Sequence, residues 1–332
     1  MKAVALTRSL PIADPASLLD IELPKPSPTG RDLLVKVEAI SVNPVDTKRR
    51  IAEKTDTAPR VLGWDAAGTV VATGDQASLF SVGDAVYYAG DVTRAGCNSE
   101  FHLVDERIVG RKPASLDFAQ AAAIPLTAIT AWECYFDRLK VQPGRSLLII
   151  GGAGGVGSIG IQLAKIAELA VIATASRPES IAWSKTLGAD HIVDHRKPLK
   201  AQLEALGIKQ VDYIANFNDL DAYWPQMADL IAPQGAMVAI VGNQKPMALD
   251  LVRAKSCSFS WEFMFTRPRY QTPDMIEQHR LLNQVADWLD TGRLRGTVRE
   301  TLTPINAANL RAAHAKLESG TMIGKLVLKG WA

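Results

Sequence analysis

The sequence predicts an α/β protein in two parts: a doubly wound parallel-sheet domain in the middle of the chain, and a mostly-β domain. Three observations carry this. Up to about residue 120, short runs rich in Val, Ile and Tyr are separated by Pro, Gly and Asp, the pattern of strands and turns. From Ser146 onward, apolar runs and helical patterns alternate, which means a parallel sheet covered on both faces. At the junction lies Ser146-Leu-Leu-Ile-Ile-Gly-Gly-Ala-Gly-Gly-Val-Gly-Ser158, an apolar run, a knot of glycines and a helical pattern without a gap.

Taken in order, the chain starts with a strand, and Pro24, Pro26 and Pro28 mark a loop. Strands follow at about 33–40, 68–73 and 85–88, the last entered through a Gly83-Asp84 turn. Residues 118–136 are Ala-rich and helical in pattern, broken at Pro125. Then come strand 147–150, helix 156–168, strand 171–175, helix 178–187, strand 191–193, strand 211–216, helix 223–231 and strand 236–241. After about residue 255 the alternation stops. Helices at 276–289 and 307–317 precede a terminal strand, 322–328, expected to return to the first domain. There are no internal repeats and no low-complexity segment.

The bulk properties are ordinary for a globular chain: 332 residues, 47% apolar, 22% charged, net charge +2. No basic run points to nucleic acid or a membrane surface. The first residues lack the apolar core of a signal peptide. Three widely spaced cysteines, Cys97, Cys134 and Cys257, form neither a disulfide framework nor a Cys-rich zinc site. The expectation is a reduced, cytoplasmic protein.

Within the knot, Gly152, Gly154 and Gly157 fit G-x-G-x-x-G, and Gly155 and Val156 lie inside it. A strand that ends in a glycine turn and opens a helix presents bare N–H groups at a positive helix end, a site for a pyrophosphate. The first glycine is expected to let the chain turn, the second to admit the phosphates, the third to let helix and strand pack. The uncharged run 147–164 approaches membrane-spanning length, but its glycines, Ser158 and Gln162 make a poor lipid-facing helix. The second strand of the pattern ends Ala173-Thr-Ala-Ser-Arg-Pro178, with no carboxylate until Glu179. An acid there would hold the ribose 2′-OH of NAD and repel a 2′-phosphate. Ser176 and Arg177 would instead hold that phosphate, so the cofactor expected is NADP(H).

With these residues in place, the chain resembles the medium-chain dehydrogenase/reductase superfamily, in its quinone-oxidoreductase-like branch, often filed as zinc-type alcohol dehydrogenase-like proteins. Segments along nearly the full length carry the resemblance: Ser41-Val-Asn-Pro-Val-Asp46, Gly63-Trp-Asp-Ala-Ala-Gly68, Val82-Gly-Asp-Ala-Val86, Ala123-Ile-Pro-Leu-Thr-Ala128, the glycine knot, Leu187-Gly-Ala-Asp190 and Gly324-Lys-Leu-Val-Leu328. It implies a GroES-like domain from residues 1–122 and 261–332, a Rossmann NADP(H)-binding domain from 123–260, and an active site in the cleft between them. It also shows a departure. Zinc-dependent members carry G-H-E-x-x-G, where this chain has Trp64, and an indole cannot ligate zinc. Their catalytic cysteine falls near Asn43, and no Cys precedes Cys97. Two of three expected ligands are missing, so no zinc is expected. His191 and His195 lie on an extended run, about 13 Å apart, too far for one ion. Cys97 and His102 are read as ordinary loop and strand residues.

Without a Lewis acid, the favoured hydride acceptors are quinones and α,β-unsaturated carbonyls, whose developing oxyanion needs only hydrogen bonds and a proton. The resemblance implies roles for particular residues. Asn43 would lie near the nicotinamide and the substrate oxygen. Asp46 follows on the same loop, where it serves either chemistry or the cap of the next helix. Lys48 would be a proton donor, and Trp64 would wall the pocket. Thr127, Val241, Gly242 and Lys325 would contact the cofactor, with a surface lysine as the alternative for Lys325. Residues 258–270 carry five large apolar side chains beside Arg267, Arg269 and Tyr270. They suit a substrate wall, a subunit interface or plain core, and in relatives a strand here pairs across a homodimer. The reading is a zinc-independent NADPH-dependent reductase of a small-molecule quinone or enone. A zinc alcohol dehydrogenase and a non-enzymatic NADPH-binding sensor stand as alternatives.

Overall fold

In the computed structural model, which describes residues 1–52 and 58–331, packing divides the chain into Met1–Ile129 with Phe265–Ala332, and Thr130–Met264. The sequence puts these junctions at 122/123 and 260/261. Packing puts the first of them inside the helix Pro125–Trp132.

The middle unit is a six-stranded parallel sheet: β1 Ser146–Ile150, β2 Ala170–Thr174, β3 His191–Val193, β4 Val211–Asn216, β5 Ile231–Ala239 and β6 Ser258–Trp261. Their order is β3-β2-β1-β4-β5-β6, so the direction of winding reverses beside β1. Four of the five β1 residues, Leu147 to Ile150, are buried, as expected for a strand covered on both faces. Leu148, Ile150, Ile172, Ile214, Met227 and Met237 share one core.

Three expectations need correction here. The alternation does not stop at 255: β6 continues the sheet in parallel register, Met237 opposite Phe259 and Ala239 opposite Trp261. A 3-10 segment, Leu249–Lys255, makes that crossover, so no helical period announces it. The fifth strand runs Ile231–Ala239 rather than 236–241. Pro233, Gln234 at φ 63 and Gly235 read as a turn but form an irregularity inside the strand. The short helix Leu199–Ala205 had no signal of its own.

In the other unit, the long strand Asp32–Ser41 is the hub. It pairs antiparallel with Ala66–Thr73, Phe101–Asp105 and the terminal strand Lys325–Lys329. The terminal strand starts at Lys325 rather than 322, because Gly324 turns the chain at φ 60. Its register sets Val327 opposite Ser41, and Val42 N–H donates to Leu326 C=O. This brings Lys325 to the loop that follows Ser41. A second, three-stranded sheet has Lys2–Leu6 between Leu19–Glu22 and Arg60–Val61. The helix Phe118–Ala122 opens with a capping box between Asp117 and Gln120. Among the described residues, no helix is long and apolar enough to cross a membrane.

Candidate functional site

In the middle unit the glycine loop follows β1 and opens the helix Gly155–Ile166. The turn itself falls to Gly151, at φ 92, and not to Gly152 as the motif suggests. Gly152 is needed for closeness, since a Cβ there would sit 2.8 Å from Ala173 Cβ on β2. Gly157 is the tightest: a Cβ would lie 2.2 Å from Gly151 O. Gly154 differs from both. It is the helix N-cap, and a Cβ there would meet only Gly151 O, at 3.5 Å. No side chain caps this helix. Its first N–H groups, Gly155 and Val156 among them, therefore meet no side-chain acceptor, and the space beside Gly154 is open. These features fit a pyrophosphate.

Ser176 and Arg177 follow β2 and are half-buried. Arg177 N-caps the helix Pro178–Thr186, and its N–H donates to Ser180 Oγ at 3.1 Å. The structure brings two further groups to this place, which the sequence did not assign to it. His195 Nε2 lies 3.3 Å from Ser176 Oγ, and Arg196 Nη2 donates to Ser176 C=O at 2.8 Å. Both follow β3, the neighbouring parallel strand, so adjacent strand ends bring them beside Ser176. Arg196 is also paired with Asp194 at 2.8 Å. No carboxylate stands at the end of β2, which suits a 2′-phosphate.

In the other unit, four motif segments converge on one buried polar cluster. Asn43 directly precedes the helix Pro44–Ala52, whose third residue, Asp46, accepts the Asn43 N–H through Oδ2 at 2.6 Å. The Asn43 side chain donates from Nδ2 to Asp65 Oδ2 at 2.9 Å and to Ser41 C=O at 3.3 Å. Its Oδ1 accepts from Lys325 Nζ at 2.5 Å. Lys325 Nζ also donates to Asp65 Oδ2 at 2.9 Å and to Val42 C=O at 3.1 Å. Asp65 Oδ1 accepts the Leu126 N–H at 2.9 Å. Asn43, Asp46, Asp65 and Lys325 are each at most 2% exposed.

Burial governs the charges. It pushes the Asp46 carboxyl up to about 7, against the Asn43 N–H and the Lys325 ammonium, with Asp65 adding to the rise. The Asp65 carboxyl is also raised by burial, against Lys325, Asn43 and the Leu126 N–H. Two carboxyls facing one ammonium in a dry site favour one retained proton. At Asp46 that proton belongs on Oδ1, because Oδ2 accepts the Asn43 N–H and Oδ1 is buried without a partner among the described residues.

This donor set does not fit a zinc ion. A carboxamide and an indole stand at the expected ligand positions, and Asp65 is engaged by Lys325, Asn43 and Leu126. The nearby Cys97 thiol is pushed far up by burial, so it is no thiolate, and its Sγ faces Asp65 C=O at 3.5 Å. His102 has both ring nitrogens engaged, by Tyr88 OH and Ala95 C=O, and burial lowers it to about 4. Among the described residues, no group of three His, Cys, Asp or Glu is placed to hold a metal.

The remaining expected site residues are separated by environment. Lys48 is exposed, whereas Asp46, Thr47 and Arg50 of the same helix are buried. Trp64 is buried, its Nε1 donating to Asp91 C=O at 3.2 Å and its ring edge-on to Phe265. The Thr127 hydroxyl turns back to Ile124 C=O at 3.0 Å. Val241 and exposed Gly242 follow β5, and a Cβ on Gly242 would meet nothing within 4 Å. Lys325, expected at the cofactor, spends all three N–H donors inside the cluster. Asn43, expected at the substrate oxygen, has its amide engaged on both sides. Asp65 was missed, although its place directly after Trp64 in the Gly63–Gly68 segment was a signal. In residues 258–270, Met264 and Phe265 are buried while Trp261, Phe263 and Tyr270 are 44%, 41% and 67% exposed.

Residues 29–122 match an alcohol dehydrogenase GroES-like domain, and residues 187–328 a zinc-binding dehydrogenase. A zinc-type alcohol dehydrogenase-like protein of Staphylococcus epidermidis is 41% identical, over 99% of each chain. A 2-methylene-furan-3-one reductase of Solanum lycopersicum is 30% identical, over 89% of this chain and 71% of its own. Among crystal structures, a Rhizobium etli protein provisionally described as a zinc-dependent alcohol dehydrogenase superposes with a TM-score of 0.97 at 54% identity, covering 100% of this chain and 98% of its own. A Pseudomonas syringae quinone oxidoreductase superposes at 0.85 with 26% identity, and a mycobacterial protein complexed with NADPH does so at 0.85 with 26% identity. The first covers 99% of each chain, the second 99% of this chain and 100% of its own.

Proposed function

We propose that the chain, which belongs to the medium-chain dehydrogenase/reductase superfamily, is a zinc-independent, NADPH-dependent reductase of a quinone or an α,β-unsaturated carbonyl. The single observation that carries the choice of substrate class is the Asn43–Asp65–Lys325 cluster. Where zinc-dependent members would hold a Lewis acid, this chain has an amide, an indole and a carboxylate already engaged by an ammonium. Simple carbonyls need that Lewis acid, whereas quinones and enones accept hydride with less help.

The glycine loop would hold the pyrophosphate, with Ser176 and Arg177 on the 2′-phosphate and His195 and Arg196 next to them. Val241 and Gly242 would line the nicotinamide end. When bound, the cofactor supplies the hydride. Burial raises the Asp46 carboxyl to about 7, so below that pH it is mostly protonated and the negative charge of the cluster is reduced. The proton reaching that oxygen comes from water under this reading, since the Asn43 amide and the Thr127 hydroxyl are engaged and Lys48 is exposed.

The homodimer belongs to the same reading. The sixth strand, Ser258–Trp261, has one edge with no strand partner among the described residues, beside exposed Trp261 and Phe263. A monomer in light scattering would contradict it.

The test is NADPH oxidation by purified protein against a benzoquinone, a naphthoquinone, an enone and a simple aldehyde, with NADH alongside. Turnover of quinone or enone with NADPH is expected. Turnover of the aldehyde alone would favour an alcohol dehydrogenase. NADPH binding without turnover would favour a sensor.

A further inference from the structure

Resting on this zinc-independent reading, we propose that the Lys325 ammonium is the resident cation of the first unit's polar cluster, a positioning residue that fixes the Asn43 carboxamide and ties four separate motif segments together.

The donor count closes. An ammonium has three N–H groups, and Lys325 Nζ has three oxygen acceptors: Val42 C=O at 3.1 Å, Asn43 Oδ1 at 2.5 Å and Asp65 Oδ2 at 2.9 Å. Its side chain is 3% exposed, and that of Asp65 is 0% exposed. Nothing on the nitrogen is left over for an outside ligand. The same contacts orient Asn43. Its Oδ1 faces the ammonium and its Nδ2 faces the Asp65 carboxylate. The flipped amide would set donor against donor and acceptor against acceptor.

The cage explains why motifs far apart in sequence belong together. Asn43 comes from the Ser41–Asp46 segment and Asp65 from the Gly63–Gly68 segment. Leu126, donating to Asp65 Oδ1, comes from the Ala123–Ala128 segment, and Lys325 from the terminal one. Asn43 and Trp64 are the two positions where the resemblance places metal ligands. Here a fixed monovalent charge stands against Asn43 itself. An ammonium with its three donors spent can organise that loop but cannot accept a lone pair from a substrate oxygen.

The test uses the full-length protein with Lys325→Met, Asp65→Asn and the double variant. The readouts are thermal denaturation, the dissociation constant for NADPH, kcat with a benzoquinone at saturating NADPH, and zinc retained after incubation with the metal alone. Positioning predicts that Lys325→Met lowers kcat at least about tenfold while NADPH affinity changes less than about threefold, a tenfold change being 1.4 kcal/mol. It also predicts that Asp65→Asn recovers stability in the Lys325→Met background, because the pair then leaves together. A loss of NADPH affinity with kcat intact would overturn the proposal in favour of a cofactor contact, and so would purely additive stability losses. Should Lys325→Met fail to fold, the double variant decides: folding supports the pairing, and instability equal to the sum of both losses overturns it. Stoichiometric zinc on the wild type would overturn the resident cation. Absence of benzoquinone turnover by the wild type would sink only the substrate reading, and the stability cycle would still judge the pairing.

Discussion

The glycine loop of the middle unit and the ammonium cluster of the other unit are built in opposite ways. The loop is made by leaving things out: no Cβ at Gly154, no side-chain cap on the helix Gly155–Ile166, no acid after β2. The cluster is made by pairing groups: three acceptors on Lys325 Nζ, both faces of the Asn43 amide and both oxygens of Asp65, with Asp46 Oδ1 the exception. A vacancy of that kind is poised for a ligand. A closed network is poised to hold shape and charge. The difference predicts that damage to the loop shows in binding, and damage to the cluster in stability and turnover.

The largest expected effect breaks the cluster. Lys325→Met should cost about 3–5 kcal/mol of stability by stranding the Asp65 carboxylate, and most of it should return on adding Asp65→Asn. Chemical denaturation of the three variants measures this. If Lys325→Met costs less than Lys325→Arg, the ammonium is not the organising charge.

Next comes a contrast inside the loop. Gly154→Val should weaken NADPH binding about 100-fold, or ~2.7 kcal/mol, by filling the phosphate space while the fold persists. Gly157→Ala should cost about 1–3 kcal/mol of stability instead, because its Cβ meets backbone. Calorimetric binding and thermal melts separate the two. Equal effects on both readouts would erase the distinction between ligand space and packing space.

A smaller effect is expected at the strand end. Arg177→Ala should weaken NADPH binding by about 1.5–3 kcal/mol and leave NADH nearly unchanged. Equal losses for the two cofactors would remove the 2′-phosphate role.

The last expected effect is in pH. The Asp46 carboxyl lies at 3.8 ordinarily and is raised to about 7 in the fold. The folded state therefore binds more protons than the unfolded one between these values, so this group's contribution falls as pH rises through that window. Asp46→Asn keeps an oxygen for the Asn43 N–H and should flatten that slope. An unchanged slope of stability against pH from 4 to 8 would mean that Asp46 is ionised throughout.

The same contrast explains what was legible in the sequence. The loop, β1 and its helix are local: thirteen consecutive residues from Ser146 to Ser158 carry the strand, the turn and the helix start, and backbone geometry needs glycine there. Even so, the motif misplaced the turn by one residue, since phosphate-loop spacing does not say which glycine takes φ 92. The cluster is long-range: Lys325 meets Asn43 and Asp65 across 282 and 260 residues, and only the register of Val327 on Ser41 brings them together. The motifs named Asn43, Asp46 and Lys325 separately, without the contacts that tie Lys325 to Asn43 and Asp65. His195 was weighed as a metal ligand, and its place beside Ser176 follows from parallel strand pairing that no spacing rule contains. The sixth strand escaped for a simpler reason: its crossover is a 3-10 segment, and periodicity registers only helices long enough to repeat.

The most direct test of the central claim is the steady-state rate of NADPH oxidation with a benzoquinone, measured before and after exhaustive dialysis against a strong zinc chelator. The same rate is expected in both samples. A rate lost on dialysis and restored by zinc alone would contradict it.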